Sequence, residues 1–295
     1  MLGKPSKNKH QPLSTMVQDT SNNTSQRPQR KEKGKAATCL SRLSTFFYRL
    51  YQIFIAAPVL LVCTILCAVV TIIGSAIGGA HFWGYYPAMI WSRLMCWVML
   101  LPVRVEGDEL VDRKTSYVFV ANHQGPYDIF LIYGFLGRNF KWMMKKSLMN
   151  IPLVGRACRS AGHISVDKSG PKAIHHTYEQ GRKVLRNGIS LMVFPEGSRT
   201  FTGHMGFFRR GAFQLADELR LPVVPVTIDG SFDVLPRQRG FNFVTWHPLR
   251  LVIHSPIYPE ASGPEEVKRI MQTSYDIIMK DLPEKYQGMV ENPDQ

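Results

Sequence analysis

The sequence predicts an α/β protein: a mostly parallel sheet flanked by helices, with an N-terminal membrane-embedded helical segment ahead of it. Three observations predict this. From Ile53 to Ala80 there are 28 consecutive residues without a charge. After Val103, short apolar β-rich runs alternate with helical stretches, the pattern of strands separated by helices that builds a largely parallel sheet. A hydrophobic content of 45% over 295 residues is ordinary for a globular chain and too high for a disordered one. A core of that size needs no disulfide or metal staple. Collagen, disulfide miniproteins and a wholly disordered chain are excluded.

The first element is a basic tail over residues 1–45. Its first 38 residues are rich in Ser, Asn, Gln and Lys and nearly free of large apolar side chains. Such a segment cannot bury enough surface to offset its ordering entropy, so it reads as disordered. Residues 1–50 carry ten Lys and Arg against Asp19 and Glu32, so +8 of the total +14 lies there. The pI near 9.7 points to an anionic partner such as nucleic acid, phospholipid headgroups or phosphorylated metabolites. Because the charge belongs to a tail beside an apolar segment, anionic lipid is favoured over nucleic acid. Five cysteines (Cys39, Cys63, Cys67, Cys96, Cys158) form no C-x-x-C pair. An odd number without a framework suits a reducing compartment.

The second element, residues 46–103, is the membrane segment. As a helix, Ile53–Ala80 would span roughly 42 Å, enough for a ~30 Å hydrocarbon core. Pro58 predicts a kink, and Gly74, Gly78 and Gly79 predict a soft end. The apolar stretch His81–Val103 follows, dense in aromatics and with Arg93 inside it, which reads as an interfacial or re-entrant helix. The basic flank Arg30–Arg49 puts the N-terminus in the cytoplasm. A single crossing would then place the body on the far side; a hairpin or a dip into one leaflet would return it to the cytoplasmic face. The residues alone leave both open.

The third element is the domain 104–295. Strands are predicted at Tyr117–Ala121, Ile164–Val166, Ser190–Phe194, Val223–Ile228 and Leu249–Ile253, and helices at Pro171–Arg186, Arg209–Leu219 and Pro264–Leu282. The chain has no G-x-S-x-G elbow, P-loop, G-x-G-x-x-G or H-E-x-x-H. Three other features could carry chemistry. Asn122-His123-Gln-Gly-Pro-Tyr-Asp128 follows a strand, where open α/β sheets place their sites. A turn at Gly125-Pro126 can fold Asp128 onto His123, fixing the imidazole tautomer and leaving a general base; the alternative is a loop histidine with Asp128 capping a helix. Phe194-Pro-Glu-Gly-Ser-Arg-Thr200 also ends a strand. Its Arg199, with Arg209-Arg210-Gly211 at a helix start, makes a phosphate site or a solvated loop. Lys145-Lys146-Ser-Leu148 and Gly162–Lys168 could supply two converging lysines or a solvated basic face.

Together, in this order, these blocks resemble the glycerolphosphate/lysophospholipid acyltransferase family, most closely its 1-acyl-sn-glycerol-3-phosphate acyltransferases. The family's N-H-x4-D block matches Asn122–Asp128. Its second block, a K-x-x-L element with an F-I-D-R-like run, matches Lys145–Leu148 and Gly162–Lys168. F-P-E-G-[ST]-R matches Phe194–Arg199, and a proline-bracketed apolar strand matches Leu221–Val226. The resemblance covers roughly residues 85–260. One departure is Lys168, where the family usually has Arg.

The resemblance implies acyl transfer from a thioester, acyl-CoA or acyl carrier protein, to the free hydroxyl of lysophosphatidic acid, giving phosphatidic acid. It needs no cofactor, metal or nucleic acid. The partners are the acceptor, the thioester and membrane phospholipid, with the domain on the cytoplasmic face. It implies His123 and Asp128 as the catalytic pair and Lys145, Lys168 and Arg199 on the acceptor phosphate. Glu196 is assigned to a glycerol hydroxyl or to positioning Arg199. Gly197 shapes the turn, and amides near His123 or in Pro195–Gly197 are candidate oxyanion donors. The rivals are transfer to glycerol 3-phosphate or another lysophospholipid, and a non-catalytic membrane lipid-binding protein.

Overall fold

The computed structural model describes residues 42–166, 171–185, 187–238 and 240–288. Most of the basic tail expected over residues 1–45, and the Lys168 position, lie outside them. The chain divides into two units, Met1–Tyr48 and Arg49–Gln295; the second contains the sheet. Seven strands are described: β1 Val103–Glu106, β2 Val118–Ala121, β3 Phe140–Lys145, β4 Ile164–Val166, β5 Ser190–Val193, β6 Val223–Asp229 and β7 Leu249–Ile253. They lie in the order β1-β7-β6-β2-β5-β3-β4. Strands β4, β3, β5, β2 and β6 run parallel, whereas β7 pairs antiparallel with β6 and carries β1 parallel to itself. The central strands β2 and β5 are buried throughout, as their unbroken apolar runs require of a parallel sheet covered on both faces. The expected sheet is therefore present, with two strands, β1 and β3, that the sequence reading did not place.

The helices are α1 Ala57–Ala76, α2 Ala80–Trp83, α3 Tyr86–Val98, α4 Tyr127–Phe135, α5 Val154–Ser160, α6 Pro171–Val184, α7 Gly211–Leu219, α8 Ser231–Val234 and α9 Pro264–Asp281. One helical run, Arg42–Ala76, is long and apolar enough to cross a membrane. Phe54, Leu61, Leu66 and Ile73 on it are each more than half exposed. Pro58 has no N–H and its ring crowds the carbonyl four residues before it. The chain answers with a π-turn at Gln52–Ala56, immediately upstream. At the other end, Gly78 and Gly79 take positive φ and the chain reverses. Gly74 makes room for the reversal: a Cβ there would lie 2.4 Å from the Trp83 ring.

The returning helix α3 packs against both α1 and α4. Arg93, the charge inside the second apolar stretch, donates from Nε to the carbonyl of Gly134 in α4 at 2.7 Å. Trp91 Nε1 donates to Thr64 Oγ1 of α1 at 2.9 Å. Gln52 pairs with both backbone groups of Val244, at 2.8 and 3.0 Å. At the reversal, Asn139 Nδ2 donates to the carbonyl of His81 at 2.9 Å. A Cβ on Gly84 would lie 2.9 Å from the Cα of Ala161. The apolar helix thus meets the α/β domain at both of its ends and runs along it.

Candidate active site

Strands β2 and β5 are neighbours in parallel register, Val118–Val120 against Leu191–Val193. The loops that follow them, Asn122–Asp128 and Phe194–Thr200, therefore leave the same edge of the sheet. Asn122 fixes the first loop. Its Nδ2 donates to the carbonyl of Ile228 on β6 and its Oδ1 accepts the Ile228 N–H, both at 2.8 Å. Gly125 then passes so close to α8 that a Cβ would lie 2.7 Å from Ser231 Oγ and 2.8 Å from its carbonyl oxygen. This tight passage starts α4 and turns Asp128 back toward His123.

The His123 Nδ1 to Asp128 Oδ2 distance is 2.7 Å, and the same Oδ2 accepts the Gly125 N–H at 2.9 Å. A carboxylate oxygen only accepts, so Nδ1 carries the proton and Nε2 keeps its lone pair. The Asp128 side chain is fully buried, while that of His123 is 14% exposed. Phe194 stacks on the imidazole with centroids 3.9 Å apart and planes within 6°. Trp142 of β3 stacks in turn on Phe194, at 5.3 Å and 27°. The imidazole is thus held at Nδ1 by a charge and across its face by an aromatic pile, with its other nitrogen left for chemistry.

Glu196 holds the two loops together. Oε1 accepts the His123 N–H at 2.7 Å and Oε2 accepts the Gly206 N–H at 2.8 Å. The residue is only 2% exposed. Burial pushes its carboxyl up to about 8, against the pull of the two amide hydrogen bonds. Among the described residues no ion pair joins Glu196 to Arg199, so its polar contacts serve the loops and not that guanidinium. Two of the amides expected to receive an oxyanion are engaged: His123 N–H is held by Glu196, and Gly197 N–H donates to the carbonyl of Phe194 at 3.0 Å. Gly197 takes φ +79°, where a side chain would be strained, and a Cβ there would lie 3.0 Å from Arg209 Nε.

His123 opens onto a cavity of about 560 Å³. Its lining includes apolar residues such as Ile129, Met143, Leu148 and Val193 and four cations, Lys145, Arg199, Arg209 and Arg237. The structure therefore brings Lys145, Gly197 and Arg199 to one cavity with His123, as the sequence reading expected, and places Glu196 beneath it. Arg209 was visible in sequence as a cation before a helix. Arg237 carried no local signal; it follows α8, donates from Nη1 to the carbonyl of Arg199 at 2.6 Å and lies 4.0 Å over the Phe201 ring.

A family model described as "Acyltransferase" matches residues 102–229. The structure also aligns with the crystal structure of the 1-acyl-sn-glycerophosphate (LPA) acyltransferase PlsC from Thermotoga maritima. The TM-score is 0.64 and the identity 25%, over 80% of this chain and 94% of that one. Residues 102–229 of this chain are an acyltransferase-family stretch. The matched stretch runs from β1 through β6. It takes in His123, Asp128, Lys145, Glu196, Arg199 and Arg209, and stops short of Arg237. Curated relatives include the 1-acyl-sn-glycerol-3-phosphate acyltransferase of Cocos nucifera, 29% identical over 68% of this chain and 64% of its own length. That of Saccharomyces cerevisiae is 29% identical over 69% and 68%. The chloroplastic enzyme of Arabidopsis thaliana is 30% identical over 59% and 48%. The chain thus spans about half to two thirds of the length of several relatives it matches.

Proposed function

We propose that this protein moves a fatty acyl group from an acyl thioester to the free hydroxyl of 1-acyl-sn-glycerol 3-phosphate, giving phosphatidic acid. The observation that carries this reading is the His123–Asp128 pair opening onto one cavity lined by both apolar residues and cations. An acyl chain suits the apolar residues and a phosphate monoester the cations. Relatives that bear the name 1-acyl-sn-glycerol-3-phosphate acyltransferase support the same acceptor.

The chemistry follows from the free Nε2. The acceptor hydroxyl gives its proton to His123 Nε2 as its oxygen attacks the thioester carbonyl carbon. The imidazolium that forms is stabilised by Asp128 through Nδ1. The tetrahedral intermediate collapses, the carbon–sulfur bond breaks, and the leaving thiolate takes the proton back from Nε2. No side-chain nucleophile enters the sequence of steps. Lys145, Arg199, Arg209 and Arg237 hold the acceptor phosphate and lower the cost of charge that develops beside it.

The same reading puts the protein on a membrane with its domain on the cytoplasmic face, where acyl-CoA or acyl carrier protein would be met. Exposed apolar side chains along α1 call for lipid. Residues Gln52 to Ala76 span about 37 Å as helix, yet the helix touches the domain at both ends through Gln52 and His81. That geometry supports an antiparallel pair, α1 and α3, lying in one leaflet, over a single crossing that carries the domain away. The test is an acceptor screen with labelled acyl thioester and detergent-purified protein. Lysophosphatidic acid should be acylated well above glycerol 3-phosphate and lysophosphatidylcholine. Preference for either of the others would overturn the acceptor, and no transfer to any would overturn the reaction.

A further inference from the structure

A second cavity, of about 660 Å³, lies at the opposite edge of the sheet from His123. Asn139 and Ile189 on its wall immediately precede β3 and β5, so it opens at the strands' N-terminal ends. The catalytic loops leave the C-terminal ends. Its other wall is the reversal of the apolar helices, through His81 and Tyr85. Three arginines line it, Arg93, Arg113 and Arg138, and no acidic residue does. Arg138 is 6% exposed, and Nη2 reaches Asp108 outside the cavity at 2.7 Å to its carbonyl and 3.2 Å to Oδ1. Its Nε and Nη1 are buried and have no partner among the described residues. The Tyr85 hydroxyl, on a residue 4% exposed, is likewise buried and unpartnered.

Three arginines line the cavity and no acidic residue is among its lining, a concentration of positive charge that favours an anion. The complement is an oxyanion with several acceptor oxygens. The rim adds a second property. Tyr86 of the lining is 42% exposed, and its ring contacts Phe82, 52% exposed, at 4.6 Å, so the cavity sits beside aromatic side chains of the kind that settle at the headgroup level of a bilayer. We propose that this cavity binds a phosphate oxyanion, supplied by the headgroup of an anionic membrane phospholipid, at a site separate from the acyl-transfer centre. The donor set reads the phosphate, and the aromatic rim assigns its source to lipid. The site rests on the membrane reading for that source and not on the acyl-transfer reading.

The experiment measures thermal stability of the full chain in detergent. The probes are potassium phosphate against potassium chloride at matched ionic strength, and phosphatidylcholine vesicles with and without phosphatidylglycerol. Wild-type protein should be stabilised saturably by phosphate, and further by the phosphatidylglycerol vesicles. Arg113 is at the exposed mouth, so Arg113→Gln should fold normally and weaken both effects roughly tenfold or more in midpoint concentration. Arg199→Gln, which changes the other cavity, should retain the Arg113-dependent effect. Absence of stabilisation, or equal stabilisation of wild type and Arg113→Gln, overturns the site. Stabilisation by phosphate with no gain from phosphatidylglycerol vesicles overturns the lipid source. No turnover is read, so the outcome is independent of the proposed reaction.

Discussion

His123 and Glu196 divide the work of the site between chemistry and placement. His123→Ala removes the one base among the described residues on the cavity wall that is held by an oriented carboxylate partner. The expected loss in kcat is about 10²–10⁴-fold with the fold intact, read by thioester turnover beside a thermal melt. Asp128→Asn should lose a similar factor, because an amide in that place no longer dictates which nitrogen carries the proton. Glu196 acts on stability. Its carboxyl stands at about 8 in the folded chain against an ordinary 4.5, so the folded state holds this proton more tightly than the unfolded one. Its contribution is full below about 4.5 and is lost as pH rises through about 8. Melting temperature should fall across that window, and Glu196→Gln should flatten the fall. Arg237→Ala should raise KM for the phosphate acceptor by about tenfold and leave KM for the thioester unchanged. An unchanged acceptor KM would remove Arg237 from the acceptor wall.

At the scale of elements, the edge between β2, β5 and β6 is what makes two distant motifs one site. Asn122 closes that edge by using both polar ends of its amide on Ile228. In Asn122→Ala the Ile228 N–H and carbonyl are buried without that partner. The expected cost is about 2–4 kcal/mol, measured by denaturant unfolding, with a larger fall in activity because the His123 loop loses its anchor. Sequence reading matched Ile164–Val166 and Leu249–Ile253 to the observed strands end to end. Strand β3, Phe-Lys-Trp-Met-Met-Lys, escaped; it carries two lysines in six positions. In the fold Lys141 is 2% exposed and its Nζ donates to the carbonyl of Ala161 at 2.7 Å. Burial pulls that amine down to about 8. A charge that solves its own burial through a distant carbonyl is invisible to periodicity.

At the scale of the whole molecule, the apolar helices and the catalytic edge are parts of one folded unit. Both ends of α1 are tied to the domain, and α3 packs on α4, whose first turn holds Asp128. Membrane attachment and catalytic geometry are therefore mechanically linked. The protein should resist extraction by carbonate and high salt and be released by detergent; release by salt alone would contradict embedding. In sealed vesicles of known orientation, protease should reach residues 105–288 from the cytoplasmic face. Cleavage only from the other face would contradict the one-leaflet arrangement.

Local chemistry in the sequence was enough to predict the fold class and the apolar segment, and to offer the pairing of His123 with Asp128 as one of two readings. Apolar runs, an uncharged stretch of membrane length and a Gly-Pro turn five residues wide act over distances that a short window contains. The resemblance of four ordered blocks extended this to the reaction class and to Lys145 and Arg199. Tertiary structure alone decided the rest, because each remaining feature joins residues far apart in the chain. Glu196 meets an amide 73 positions away, Gln52 meets one 192 positions away, and Arg237 reaches the carbonyl of Arg199 across 38. The second arginine cavity is of the same kind: Arg93 lies on α3, Arg113 in the loop before β2 and Arg138 in the loop before β3, and only the return of the apolar helices onto the sheet brings them to one cavity.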